Sequence, residues 1–253
     1  MASPHLTSCL LPARHAFSVR EGGVSEGPFA SLNLGFATGD VRARVNENLR
    51  RFASALNVPP GSLITVSQVH GDRLLEATAP QDGDEVPPPL GEADGVWTRT
   101  AGLAVGVKTA DCVPILISDA AGRCVAAVHS GWRGTDLRIS ARAVETLAVQ
   151  GVEPASLVAA IGPCIGACCY EVSEELAFRF ERAFGAEVVR RDRPKPHLDL
   201  PRAVRLTLVA AGVRPDRIDV LDACTACDPA RFFSHRRDRG ISGRHLSAIV
   251  AGK

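Results

Sequence analysis

Apolar and polar positions along the chain fall into two periods. Short apolar runs rich in β-branched residues recur at 63–69, 103–107, 113–117, 125–129, 157–161, 218–222 and 246–250, and their length and composition predict strands. Between them, three- and four-residue apolar spacing over 41–56, 137–149, 173–184 and 201–211 predicts helices. The last is well punctuated: Asp199 lies just upstream, Pro201 sits in the first turn, and Gly212 follows the last periodic residue. Asp40 is placed to cap the first helix. Strands and helices mix without strict alternation, so the expected class is α/β (α+β mixed) with mixed sheets. The Pro- and acid-rich stretch PQDGDEVPPPLGEA at 80–93 predicts an exposed loop and not a linker, because strand-like segments flank it closely.

Composition narrows the function classes. The 253 residues are 45% hydrophobic, enough for a sizeable core. A formal net charge of +1 argues against a broad electrostatic grip on nucleic acid or anionic lipid, so neither is expected as a partner. The most apolar segment, 103–117, is interrupted by Lys108 and Asp111 and is too short to cross a bilayer. The opening MASPHLTSCLLPARH lacks a charged region followed by an apolar core, so the expected location is the cytoplasm. There, the eight cysteines read as thiols, metal ligands or a nucleophile more naturally than as disulfides. The adjacent Cys168 and Cys169 would make an awkward disulfide.

Strand ends carry the candidate chemistry. LITVSQVHG ends on His70, TADC places Cys112 at the entry to VPILI, and VAAVHSG carries His129 at its end. Strand-end loops often converge on one rim. Two imidazoles and a thiolate suit zinc, with a fourth position left for a water whose pKa falls to about 7. The same donors also suit blue copper, but its usual axial Met has only Met1 to supply it, and seven histidines are too few for a multi-copper cluster. A metal-free Cys112/His129 hydrolase, a zinc-stabilised binding module, and three separately buried strand-end residues are the other readings. Cys224-Thr-Ala-Cys227 alone suits half a structural zinc site or a redox pair, but a second C-x-x-C is missing, since PCIGACC spaces Cys164 and Cys168 by one residue more, and structural or buried thiols are the favoured reading. FFSHRRDRGISGR offers Arg236, Arg237 and Arg244 to an oxyanion, or an exposed basic loop. P-loop, dinucleotide and nucleophile-elbow motifs are absent, as is the H-x-E of nucleobase deaminases.

In order, HAFSVREGGVSEGPFASLNLG, SQVHG, ADGVWT, TADCVPILI, VHSGWRGT, IGPCIGACCYEV and FFSHRRDRGISGR resemble the YfiH-like family, also called the multicopper polyphenol oxidoreductase or laccase-domain family. The resemblance runs from His15 to Val250. It implies one catalytic domain over 1–253, layered α/β/β/α, and metal ligation by His70, Cys112 and His129. It further implies a zinc-dependent purine nucleoside phosphorylase acting on adenosine, inosine and methylthioadenosine, with adenosine deaminase activity. Copper and a laccase-like polyphenol oxidase form the alternative. Phosphate and purine nucleosides are then the partners, with a monomer or small homo-oligomer as the assembly. Within that frame Asp111 is the candidate for moving protons and Arg133 for an oxyanion contact. Asn33 and Gln68 are candidates for reading purine edges, and Arg236 for substrate binding.

Overall fold

The computed structural model describes residues 4–81 and 83–252. Met1, considered above as an axial copper ligand, and Asp82 of the acidic loop lie outside the described residues. Among the described residues there are thirteen strands and five α-helices: β1 (His5–Leu6), β2 (His15–Ser18), α1 (Arg42–Ala55), β3 (Leu63–Thr65), β4 (Leu74–Glu76), β5 (Gly95–Thr98), β6 (Ala104–Thr109), β7 (Val113–Ser118), β8 (Val125–Ser130), α2 (Trp132–Asp136), α3 (Ile139–Val149), β9 (Val158–Ile161), α4 (Glu174–Phe184), β10 (Val189–Arg190), β11 (His197–Leu198), α5 (Leu200–Ala210), β12 (Ile218–Val220) and β13 (His245–Val250). Two mixed sheets carry most strands, in the orders β1-β2-β13-β6-β3 and β12-β9-β7-β8-β5-β4, while β10 and β11 form a small ribbon.

Side-chain alternation assigns each face to a layer. Phe17, Val105, Val107 and Ile249 of the five-stranded sheet pack against Val96, Leu116, Ala127 and Ala160 of the six-stranded sheet. On the other face of the five-stranded sheet, Ala16, Ala104 and Ala248 meet Val45, Leu49 and Phe52 of α1. On the outer face of the six-stranded sheet, Ile115, Ile117, Val128 and Ile161 meet α3, α4 and α5 through Val144, Leu147, Phe180 and Val204. The layering is α/β/β/α. Strands β7 and β8 are covered on both faces, which is why they read as continuous apolar runs and not as alternating ones.

All seven predicted runs contain a strand and all four periodic segments a helix. Asp199 caps α5 as expected, accepting a hydrogen bond from the Arg202 amide at 3.0 Å. Asp40 does not cap α1. Val41 holds that position, and the Asp40 carboxylate instead takes hydrogen bonds from the Ser25 hydroxyl and the Asn33 amide. The run at 63–69 stops being a strand at Thr65, and residues 66–70 turn toward the site.

Candidate metal centre

Strand register gathers the candidate site. In the β7–β8 hairpin Val113 faces Ser130 and Pro114 faces His129, so Cys112, one residue before β7, falls beside Gly131. Across β8, Gly95 of β5 faces Val128, which brings Asp94 to His129, whose amide donates to the Asp94 carbonyl at 2.7 Å. His70 arrives from the loop after β3. The donor atoms of His70, Cys112 and His129 all lie within 4.8 Å of one another. The two rings meet edge to face, with centroids 4.9 Å apart.

Asp94, which was not foreseen, organises this cluster. Its carboxylate is fully buried and accepts Nδ1–H of His129 at 2.7 Å, leaving Nε2 for the cluster. It also accepts the backbone amides of Val69, His70 and Gly71 at 3.1, 3.0 and 2.6 Å. Those three bonds hold His70 in the left-handed region, at φ 61°, an unfavourable conformation for a residue with a side chain. Burial opposes the Asp94 charge, but the bonds from His129 and Gly71 outweigh it and keep the carboxyl below its ordinary range. The available signal was an aspartate at the mouth of the buried strand GVWT.

Burial alone would push the Cys112 thiol up. The neighbouring His129 and His70 reverse this and bring it down to about 6, while Cys112 and Asp94 hold His129 in its protonated form against its own burial. A thiolate between two imidazoles, one oriented by a buried carboxylate, is a donor set that fits one zinc or copper ion. Gly131 completes the cradle: a Cβ there would stand 3.0 Å from Cys112 Sγ and 3.2 Å from His70 Cδ2.

The cluster lies where two cavities meet. The larger, about 930 Å³, is lined by His70, Cys112 and His129 together with Arg42, Lys108, His235 and Arg244, and is walled by the Pro-rich loop from Gly83 to Pro89. Burial lowers the Lys108 ammonium to about 8. Among the described residues no carboxylate forms an ion pair with Lys108, Arg42 or Arg244. The smaller cavity, about 270 Å³, is lined by His70, Cys112, Trp132, Arg133, Tyr170, Ile165 and Asp111.

The other sequence candidates divide. Arg133 borders the smaller cavity, its guanidinium 5.1 Å from the centre of the Trp132 ring. Asp111 also borders it, but both carboxylate oxygens are engaged, one by the Thr225 hydroxyl at 2.7 Å and the other by the Arg236 amide at 2.6 Å. Arg236 braces the wall from behind, with its guanidinium 5.0 Å from the centre of the Tyr170 ring and Nη1 donating to the Glu171 carbonyl. Gln68 lines the larger cavity, yet its amide closes a two-bond ring with the Lys108 backbone at 2.7 and 2.8 Å. Asn33 is fully buried away from both cavities. Its amide donates to Gly35, Thr38 and Asp40 and accepts from the Gly35 and Arg244 amides, so its polar atoms are engaged within the protein, two of the partners being residues of the larger cavity wall. Arg237 is likewise engaged, with Asp238, Thr225 and Phe232. Cys168, Cys169, Cys224 and Cys227, favoured above as structural or buried thiols, form a second cluster, and Cys227 is exposed.

Comparison with known proteins agrees with this architecture. A curated purine nucleoside phosphorylase, YlmD of Geobacillus stearothermophilus, is 38% identical over 240 residues, covering 92% of this chain and 88% of that protein. A purine nucleoside phosphorylase of Deinococcus radiodurans is 38% identical over 246 residues, covering 97% and 92%. Among solved structures, YlmD from Geobacillus stearothermophilus superposes with a TM-score of 0.88 at 36% identity over 97% of this chain and 94% of that one. The hypothetical protein YfiH of Bacillus licheniformis does so with a TM-score of 0.86 at 33% identity, over 93% and 91%. The family model described as multi-copper polyphenol oxidoreductase laccase matches residues 14–252, and the chain belongs to that family.

Proposed function

We propose that this protein is a zinc-dependent purine nucleoside phosphorylase acting on adenosine, inosine and methylthioadenosine, with adenosine deaminase as a second activity. The observation that carries the reading is the His70–Cys112–His129 cluster, open on one side to a cleft of about 930 Å³ that holds cations without carboxylate partners. The relatives named purine nucleoside phosphorylase support the same reaction class. Zinc at the cluster supplies a Lewis acid and an activated water when bound. The chain's own residues do the rest. Lys108 and Arg244 hold phosphate against the sugar, since an ammonium stripped of water and without a counter-ion gains most from an incoming anion. A phosphate oxygen bonds to C1′ as the glycosidic C–N bond breaks and its electron pair passes to the purine. Arg133 serves as a further oxyanion contact from the smaller cavity. Asp94 keeps His129 in one tautomer, and Asp111 acts as a positioning residue through Thr225 and Arg236.

The Asp94–His129–Cys112 line also favours a second reading, a metal-free thiol hydrolase, because a carboxylate, imidazole and thiolate in hydrogen-bonded order activate a nucleophile. One experiment separates the readings: protein expressed without added copper is analysed for metal, then incubated with each nucleoside with and without phosphate. Adenine with ribose 1-phosphate, formed only when phosphate is present and lost reversibly on chelation, is the expected outcome, and inosine from adenosine is the mark of deamination. Hydrolysis that survives chelation favours the thiol reading, and oxygen uptake with a phenol favours a copper oxidase.

A further inference from the structure

A second set of metal-ligating side chains lies outside the site described above. The Sγ atoms of Cys168, Cys169, Cys224 and Cys227 all lie within 4.8 Å of one another, with Cys227 Sγ 3.5 Å from Cys168 Sγ and 3.3 Å from Cys169 Sγ. We propose that these four sulfurs form a mononuclear tetrathiolate zinc site that staples together two loops behind the smaller cavity.

The topology accounts for the gathering. Strands β9 and β12 are parallel neighbours, with Ile161 beside Val220, so the segments leaving their carboxyl ends run side by side. A parallel bridge continues the pairing at Cys164 and Cys224, where the Thr225 amide donates to the Cys164 carbonyl. Each loop then turns: the Cys169 and Tyr170 amides donate to the Gly166 carbonyl in one, and the Cys227 amide to the Cys224 carbonyl in the other. Those turns bring the two sulfur pairs face to face. No second C-x-x-C occurs in the sequence, so local spacing offers only half of such a site, at Cys224 and Cys227.

The spacing selects the chemistry. A disulfide needs about 2.05 Å between sulfurs, whereas sulfurs at about 2.3 Å from a tetrahedral zinc stand a little under 4 Å apart. The observed separations approach the second value. Mutual spacing within 4.8 Å suits one ion and leaves no room for the bridging sulfides of an iron–sulfur cluster. The Gly166 amide donates to Cys224 Sγ at 3.3 Å, the kind of outer contact that steadies a thiolate ligand. Arg193 donates to the Cys168 carbonyl at 2.7 Å and places a cation beside what would be an anionic centre.

The position gives the site a consequence. The first loop carries Ile165 and Tyr170 into the wall of the smaller cavity, and the second carries Thr225, whose hydroxyl holds Asp111 beside Cys112. An ion at the four sulfurs ties both loops to one point and fixes that wall.

The test uses the full chain purified anaerobically without added metal. Metal quantification and zinc X-ray absorption are read together on the wild type, on Cys112→Ala, and on Cys169→Ala/Cys227→Ala. The proposal expects a four-sulfur zinc shell that persists in Cys112→Ala and disappears, with one equivalent of zinc, in the double variant. In the wild type, where the signal averages over both sites, the proposal expects more sulfur per zinc than the one that Cys112 alone can supply, so poor folding of a variant does not blur the result. No more than one sulfur per zinc in the wild type, a disulfide found by mass after denaturing alkylation, or iron at the four sulfurs would each overturn it. The Cys112→Ala result bears on the first site separately, so failure of one site is distinguishable from failure of the other.

Discussion

Asp94 and Lys108 show how much of the site rests on single side chains. Asp94 does two jobs with one carboxylate: it orients His129 and clasps the three amides that place His70. Asp94→Asn keeps the shape but turns an NH2 group toward donors. Metal affinity at the cluster should fall about 10- to 100-fold, as for other partners that orient a ligating histidine. Competition with a calibrated chelator measures it, and an unchanged affinity would show that His129 is held by packing alone. Lys108 sits in the cleft without a carboxylate partner, and a charge-assisted bond to phosphate is worth about 1.5–3 kcal/mol. Lys108→Ala should therefore raise the KM for phosphate about tenfold or more in phosphorolysis. Its effect on any phosphate-independent turnover should be far smaller, and equal losses in both assays would assign Lys108 to the fold.

Elements differ in how visibly they were written in the chain. Helix α5 was legible because its punctuation is local: Asp199 caps it, Pro201 suits its first turn, and Gly212 follows, with φ 100°. Removing that cap in Asp199→Ala should lower stability by about 1 kcal/mol, seen as a shifted denaturation midpoint at an unchanged denaturant slope. Strands β7 and β8 were legible because burial on both faces makes their VPILI and VAAV stretches apolar throughout. Strands β2 and β5 were not, since HAFS and GVWT are short and mix polar with apolar residues, and only their neighbours in the sheets make them strands. The same division holds for the site. Cys112 and His129 stand at strand ends, and His70 closes the apolar run that opens as β3, so local sequence draws the eye to all three. Asp94 belongs to the site only through the β5–β8 register, and the four-sulfur cluster only through the parallel pairing of β9 with β12. Asp40 misled because an aspartate before a helix looks like a cap until other partners claim its oxygens, here Ser25 and Asn33 at Oδ2 and the adjacent Val41 amide at Oδ1.

At the scale of the whole molecule, the five-stranded sheet has an acid sensitivity written into two buried histidines. His15 on β2 and His245 on β13 each accept a backbone amide at Nε2, from Ser8 and Phe233 respectively, both at 2.8 Å. That fixes the neutral tautomer with its proton on Nδ1, which faces the Ala13 carbonyl in one case and the Ser18 hydroxyl in the other. Burial lowers both rings, and lowers His245 to about 3 with help from the charge of Arg20. The sign of the linkage follows. Above pH 6.5 both the folded and unfolded forms of His245 are neutral, and its contribution is intact. Below pH 6.5 the unfolded chain takes a proton that the folded chain refuses, so stability declines as pH falls, until the folded ring titrates near 3. The slope is about 1.4 kcal/mol per pH unit for each such ring, so His245 alone should cost about 2 kcal/mol between pH 6.5 and 5. That window lies above the ordinary carboxylate range, which keeps acidic groups from mimicking the effect. His245→Gln removes the titration while keeping an oxygen able to accept from the Phe233 amide. Denaturant unfolding at half-unit steps from pH 7.5 to 5 should show a visibly flatter acid limb in His245→Gln than in the wild type. Parallel limbs in the two proteins would mean that the acid response comes from elsewhere, and that His245 meets its proton in the folded state as readily as in the unfolded one.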